Sequence, residues 1–254
     1  MIIKNLLVLL TFVSILLVTQ VVQADLPVLV IEDTFDRSEV GGLSGSTTTT
    51  GGATWQSAVD LKVEGGTANH TNVANSGYVQ YIAPTDGKFS IEAVLKGRDI
   101  SAPTNTNTAL GFSDDDHADY PGANIYGLSS LSLTIQKTGN IHMWDNRFAA
   151  QKKTGKMLSD VGLANDFQGD IPMRLTLDPV NNTAIAEVNN QEVYNINYTI
   201  SDPIMWGGFG WSGTAAGQWD NFAIRQVPEP GSLILLGLGM ISLMWAKTGG
   251  RRCN

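Results

Sequence analysis

The sequence predicts an all-β protein, an antiparallel β-sandwich flanked by an N-terminal signal helix and a C-terminal transmembrane helix. Three observations carry this expectation. Between Leu26 and Ile224 no amphipathic helical period is sustained, and Gly, Asn, Thr and Asp punctuate the chain densely. Short alternating runs recur throughout that stretch, the pattern of sandwiches and barrels. The two ends, in contrast, are almost uninterruptedly apolar.

Residues 1–24 carry one early cation, Lys4, an apolar run from Leu6 to Val18, and Val22-Gln23-Ala24 before Asp25. This is the pattern of a secretory signal peptide removed by signal peptidase, so the mature chain is expected to begin at Asp25. Residues 25–226 hold 12 Lys and Arg against 23 Asp and Glu, a net charge of 12 − 23 = −11 within a whole chain of −8. Such a surface repels phosphate backbones and anionic lipid, and nucleic acid is excluded as a partner. The single cysteine, Cys253, lies outside this stretch, so no disulfide staples it and an apolar core must hold it together.

Within 25–226 the strands are expected at Val28 to Phe35, Tyr78 to Ile82, Phe89 to Leu95 and Thr108 to Phe112. A hairpin follows, Leu131 to Gln136 and Ile141 to Asp145, turned at Lys137 to Asn140. In Ile171 to Asp178 the residues Met173, Leu175 and Leu177 share one face and Arg174 and Thr176 the other. A turn at Asp178 to Asn182, a run from Thr183 to Val188, Asn189-Asn190 and a run from Gln191 to Ile196 complete a three-stranded meander. Asn accepts positive φ, which suits Asn189-Asn190 to a two-residue hairpin turn. The last strands are Trp206 to Trp211 and Gln218 to Arg225. Composition marks Gly41 to Gly52, with Thr47 to Thr50, and Ser101 to Thr108 as flexible loops. Nothing splits this stretch, so 25–226 is expected to be one domain.

The order of these elements, from Glu32-Asp-Thr-Phe-Asp-Arg37 to Trp219-Asp-Asn-Phe-Ala-Ile224, resembles the concanavalin A-like, laminin G-like jelly roll. Residues 227–254 are more specific. Pro228-Glu229-Pro230, an apolar run, then Lys247, Arg251 and Arg252 resemble the PEP-CTERM sorting signal of bacterial exported proteins. That resemblance implies a Gram-negative-type cell, recognition by an exosortase, cleavage near Pro-Glu-Pro, and release to the envelope surface or extracellular matrix. Residues 231–246 are uncharged, and at about 1.5 Å per residue they reach roughly 24 Å as a helix, short for a full span. This suits transient membrane anchorage before processing, with a permanent anchor as the alternative, and the cations beyond it stay inside.

Catalysis is not expected. Glycosidases need two carboxylates across a cleft, and the Glu-x-Asp-x-x-Glu strand motif of this fold's glucanases is absent. Glu187 and Glu192 flank a hairpin tip and read as solvated charges, and His70, His117 and His142 are scattered. No nucleophile elbow or phosphate loop is present. Asp114, Asp115, Asp116 and Asp119 crowd into six residues. They read first as an acidic surface loop and second as a Ca²⁺ site, since Ca²⁺ gathers carboxylate oxygens and the resemblance makes calcium familiar.

Among the tryptophans most are expected in the core, and Trp144, with Asp145 and Asn146, is the candidate for a ligand-binding position. The three sequons at Asn69, Asn181 and Asn197 read as coincidental in a bacterial exported protein. The function expected is an exported, surface-sorted, non-catalytic binding module for carbohydrate or extracellular-matrix polysaccharide. A structural matrix or biofilm protein without a small ligand is the alternative, and a glycoside-active enzyme the third reading.

Overall fold

The computed structural model describes residues 28–37, 41–57, 61–70, 76–82, 87–98, 100–101, 107–113, 131–145, 151–200, 204–212 and 217–227. The strands are β1 (Val28–Asp33), β2 (Gly41–Gly42), β3 (Gln56–Ser57), β4 (Leu61–Glu64), β5 (Thr67–His70), β6 (Ser76–Ile82), β7 (Lys88–Lys96) and β8 (Asn107–Ser113). They continue with β9 (Leu131–Gln136), β10 (Asn140–Asp145), β11 (Gln151–Met157), β12 (Ile171–Asp178), β13 (Thr183–Val188), β14 (Gln191–Asn197), β15 (Ile204–Ser212) and β16 (Gln218–Val227). Helical structure among the described residues amounts to a single 3-10 turn at Leu158–Val161. Every strand pair with a described register is antiparallel, as the sequence predicts.

The strands form two sheets. The nine-stranded sheet runs β14-β13-β12-β7-β16-β5-β4-β2, with β1 also paired to β16, and the seven-stranded sheet runs β11-β10-β9-β8-β15-β6-β3. Alternation decides which side chains meet between them. Phe89, Ile91, Ala93 and Leu95 of β7 and Ile171, Met173, Leu175 and Leu177 of β12 all point inward and are buried. Leu110 and Phe112, Leu131, Leu133 and Ile135, and Phe209 and Trp211 meet them from the seven-stranded sheet. Phe209 lies at the centre of an aromatic cluster with ring centroids 5.2 Å from Trp55, 5.8 Å from Phe35, 5.7 Å from Trp219 and 5.9 Å from Phe222. A cysteine-free domain has this core in place of disulfides.

The meander forms as expected, and Asn189 and Asn190 adopt φ of 52° and 58°, the left-handed pair a type I′ turn demands. Other elements depart from the expectation. The hairpin β4–β5, turned at Gly65-Gly66, and the strand β11 lie outside the expected strands: β4 alternates Leu61 and Val63 with Lys62 and Glu64 over four residues only, and β5 and β11 are polar runs. Gly41–Gly52, expected to be a flexible loop, is tied down instead. Thr50 and Glu32 exchange backbone hydrogen bonds of 2.9 and 3.2 Å, and Trp55 donates its backbone N–H to Ser46. The anchor is Asp33, a fully buried carboxylate that accepts from Trp55 Nε1 at 2.6 Å, from the Phe35 N–H at 2.9 Å and from Arg37. Composition reads the loop's residues one by one and cannot see a carboxylate fixed from another strand.

Candidate functional site

In a two-sheet sandwich the outer faces are ordinarily the wet ones. The outer face of the seven-stranded sheet is nevertheless buried along most of its described length. Tyr78, Ala109, Ser113, Ser132, Thr134, His142 and Trp206 all point outward by alternation, and all are buried. Their character differs from the core: small, hydroxylated or aromatic, with no Leu, Ile or Val.

Register arranges them in rows. Gly208 of β15 stands opposite Tyr78 of β6 and Gly111 of β8, Gly111 opposite Ser132 of β9, and Ser132 opposite Trp144 of β10. Five adjacent strands at about 4.8 Å spacing set Tyr78 and Trp144 roughly 19 Å apart, with a floor of two glycines and a serine between. A Cβ on Gly111 would sit 2.6 Å from the Leu131 carbonyl, and one on Gly208 would strike the Gly77 carbonyl, so the floor must stay bare. At one end Tyr78 meets Trp206 edge to face at 5.6 Å and 87°, and at the other His142 meets Trp144 at 6.1 Å and 79°. Ser132 lies in the middle, wholly buried, and its Oγ has no hydrogen-bond partner among the described residues. A buried hydroxyl without a partner costs about 1–3 kcal/mol, so its position calls for an explanation.

The residues expected from the sequence are partly brought together here. Trp144 stands on the outer face, half-buried, as one wall of the row. Asp145 follows it on the strand and therefore turns the opposite way, with Ile141 and Met143, so the two do not form one cluster. It lines a cavity of ≈ 380 Å³ at the open edge of the sandwich with Lys153 and Asn195. Asn146 lies outside the described residues, and so do Asp114, Asp115, Asp116 and Asp119. The chain leaves Ser113 of β8 for the acidic segment at the same end of the sheet where it leaves Asp145 for Asn146, because Phe112, Leu131 and Asp145 are register partners across β8, β9 and β10. The described ends of β8 and β10, Ser113 and Asp145, thus lie about 10 Å apart on one rim. Among the described residues no group of His, Cys, Asp and Glu is placed to hold a metal.

Sequence reasoning missed Ser132, Gly111, Gly208 and Tyr78. A signal existed in Gly207-Gly208-Phe209-Gly210, because glycine is costly inside a strand and marks a close approach of backbone. Of the other tryptophans, Trp55, Trp211 and Trp219 are fully buried, and both Trp219 and Phe222 of the closing strand belong to the core.

Two carboxylates on the outer face of the nine-stranded sheet, Glu92 and Glu187, are engaged with arginines. Glu92 of β7 meets Arg174 of β12 at 2.9 Å and Arg225 of β16 at 3.2 Å, and Glu187 of β13 meets Arg174 at 3.4 Å. Glu192 is the cross-strand neighbour of Glu187.

Residues 226–252 match the PEP-CTERM protein-sorting motif. No curated protein sequence matches the chain. Among solved structures it is similar to the endo-beta-1,3-glucanase of Pyrococcus furiosus, with 9% identity, 78% of this chain and 94% of that chain covered, and a TM-score of 0.50. It is also similar to the metal-free carbohydrate recognition domain of Emp46p (12% identity, 67% and 87% covered, TM-score 0.49). The lectin from Bauhinia forficata in complex with GalNAc is a third (10% identity, 69% and 93% covered, TM-score 0.46). At such identities a likeness speaks of fold alone. Among the described residues no helix is long and apolar enough to cross a membrane, and 231–246 lies outside them. The chain is an all-β antiparallel sandwich similar in fold to that glucanase, and the PEP-CTERM protein-sorting motif at 226–252 marks it as exported and surface-sorted.

Proposed function

We propose that the protein is a non-catalytic carbohydrate-binding module that meets an extracellular or matrix polysaccharide on the outer face of its seven-stranded sheet. The observation that carries this reading is Ser132: a wholly buried hydroxyl without a partner among the described residues, on a bare glycine floor, beside Trp144. A sugar ring offers both halves of what such a row lacks. Its C–H face packs on an aromatic ring, and its hydroxyls donate and accept. Trp144, half-buried at one end of the row, is the stacking wall, and Ser132 opposite it the polar contact. Asp114, Asp115, Asp116 and Asp119, which follow β8 in the sequence, hold a Ca²⁺ that balances their charge. Signal peptidase and an exosortase act on the two ends of the chain, the second in keeping with the sorting motif.

The test is a glycan array probed with the full chain, its Trp144→Ala variant and the full chain in chelator. Binding of at least one polysaccharide is expected, weakened about tenfold or more by Trp144→Ala and reduced by chelator. No binding under any condition sinks the reading and favours a structural matrix protein without a ligand.

A further inference from the structure

The nine-stranded sheet carries a second feature on its own outer face. Glu187 of β13, Arg174 of β12, Glu92 of β7, Arg225 of β16 and Glu32 of β1 stand on five strands bonded in that order, so the charges alternate along a row about 19 Å long. All five line one half-open cavity of ≈ 290 Å³, whose wall also includes Asn190 from the hairpin tip. The size is that of the smallest ligand pockets, room for one sugar unit and not for a chain.

The row is only partly self-satisfied. Glu92 is spent, one oxygen on Arg174 and the other on Arg225. Arg225 uses Nε alone, which leaves both terminal nitrogens as donors. Arg174 uses Nε and Nη1, leaving Nη2. The Glu32 carboxylate and the Asn190 amide have no hydrogen-bond partner among the described residues, and Glu187 engages through Oε2 only. The open groups are therefore a mixed set of planar donors and acceptors facing one cavity. Three carboxylates against two guanidiniums leave a net charge of 2 − 3 = −1, which disfavours a carboxylated ligand. Vicinal hydroxyls, which donate and accept at once, meet both kinds of group without adding charge.

We infer that this cavity is a second binding site, separate from the row around Ser132, that takes one neutral hexose unit of a polysaccharide. Arg225 and Arg174 donate to ring hydroxyls, Glu32 and Glu187 accept from them, and Asn190 does either. With sites on opposite faces of the sandwich, one molecule joins two glycan strands.

The full chain, held in a detergent without a sugar headgroup, tests this by the arginine Nε–Hε resonances of Arg174 and Arg225. Glucose, galactose, mannose and glucuronate are each titrated to about 100 mM, which is enough to fill a site of millimolar affinity. At least one neutral hexose is expected to shift both resonances saturably, and glucuronate to bind more weakly. The double variant Glu32→Ala/Asn190→Gly, which leaves the Glu92 ion pairs and the positive φ of the turn intact, should weaken binding about tenfold or more, and Trp144→Ala should leave it unchanged. Absence of a saturable shift with all three hexoses overturns the inference. Tighter binding of glucuronate does so too, as does wild-type affinity in the double variant. A loss of the shift in Trp144→Ala shows a single site and overturns it while leaving the first reading standing.

Discussion

At the scale of single residues, two buried polar groups show how far this fold tolerates and exploits polarity. Tyr81 lies 7% exposed beside Phe89, and its hydroxyl has no hydrogen-bond partner among the described residues. Burial pushes its pKa from 10.0 up to about 12. The folded state therefore favours the neutral phenol. The stability tied to it is complete below pH 10, the unfolded value, and is lost as the pH rises through 12. Tyr81→Phe is expected to be neutral or stabilising by about 1 kcal/mol near neutrality, since it removes an unpaired hydroxyl. It should also flatten the alkaline loss of stability, up to about 3 kcal/mol between those pH values, in denaturant melts. Arg98 is the opposite case. Its guanidinium is wholly buried yet donates to the carbonyls of Gln136, Lys137, Asn165 and Phe167. Burial lowers its pKa and the charge of Asp166 works against that, while a guanidinium remains a cation throughout the ordinary pH range. Arg98→Met should cost about 3 kcal/mol or more in chemical denaturation, because four carbonyls lose their donor at once. Arg98→Lys should recover little of it, for one ammonium cannot reach what a planar fork reaches.

At the scale of elements, the legible parts of the sequence were those in which one residue in two had to be apolar. The meander β12–β13–β14 and the hairpin β9–β10 were readable because Met173, Leu175 and Leu177, or Leu131, Leu133 and Ile135, each repeat at the pleat. The outer faces of β8, β9 and β15 are harder to read, since they too are buried and, Trp206 apart, are filled mostly with Gly, Ala, Ser and Thr. Alternation of apolar against charged residues fails there, and with it the clue to Ser132. The same reason hid the proposed binding face. Trp144 could be singled out by its polar neighbours, but a strand's two-residue period sends Asp145 the other way, and only register reveals that Tyr78 and Trp144 close one row. The alternating ladder was hidden differently: Glu32, Glu92, Arg174, Glu187 and Arg225 are scattered over nearly 200 residues of sequence and meet only through strand order. Arg98, too, gives no sign of burial in its own neighbourhood, Lys96-Gly97-Arg98-Asp99.

At the scale of the whole molecule, a middle that packs is followed by a motif that directs. Residues 226–252 carry the sorting motif, and the mature surface protein is expected to lack both ends. Mass analysis of material recovered from the cell surface should give an N-terminus at Asp25 and a C-terminus near Pro228 to Pro230. A chain intact through Asn254 would instead mean that the tail stays as an anchor. The strand that leads into this tail, β16, is bonded to β7, β5 and β1 and so is enclosed by the nine-stranded sheet. That placement has a mechanical meaning. A load applied through Val227, whether by the membrane, the sorting enzyme or a later covalent attachment, must shear a strand clamped along both sides and cannot unzip one from an edge bond by bond. Tension on the tether is shared among the strands bonded to β16, which are β7, β5 and β1.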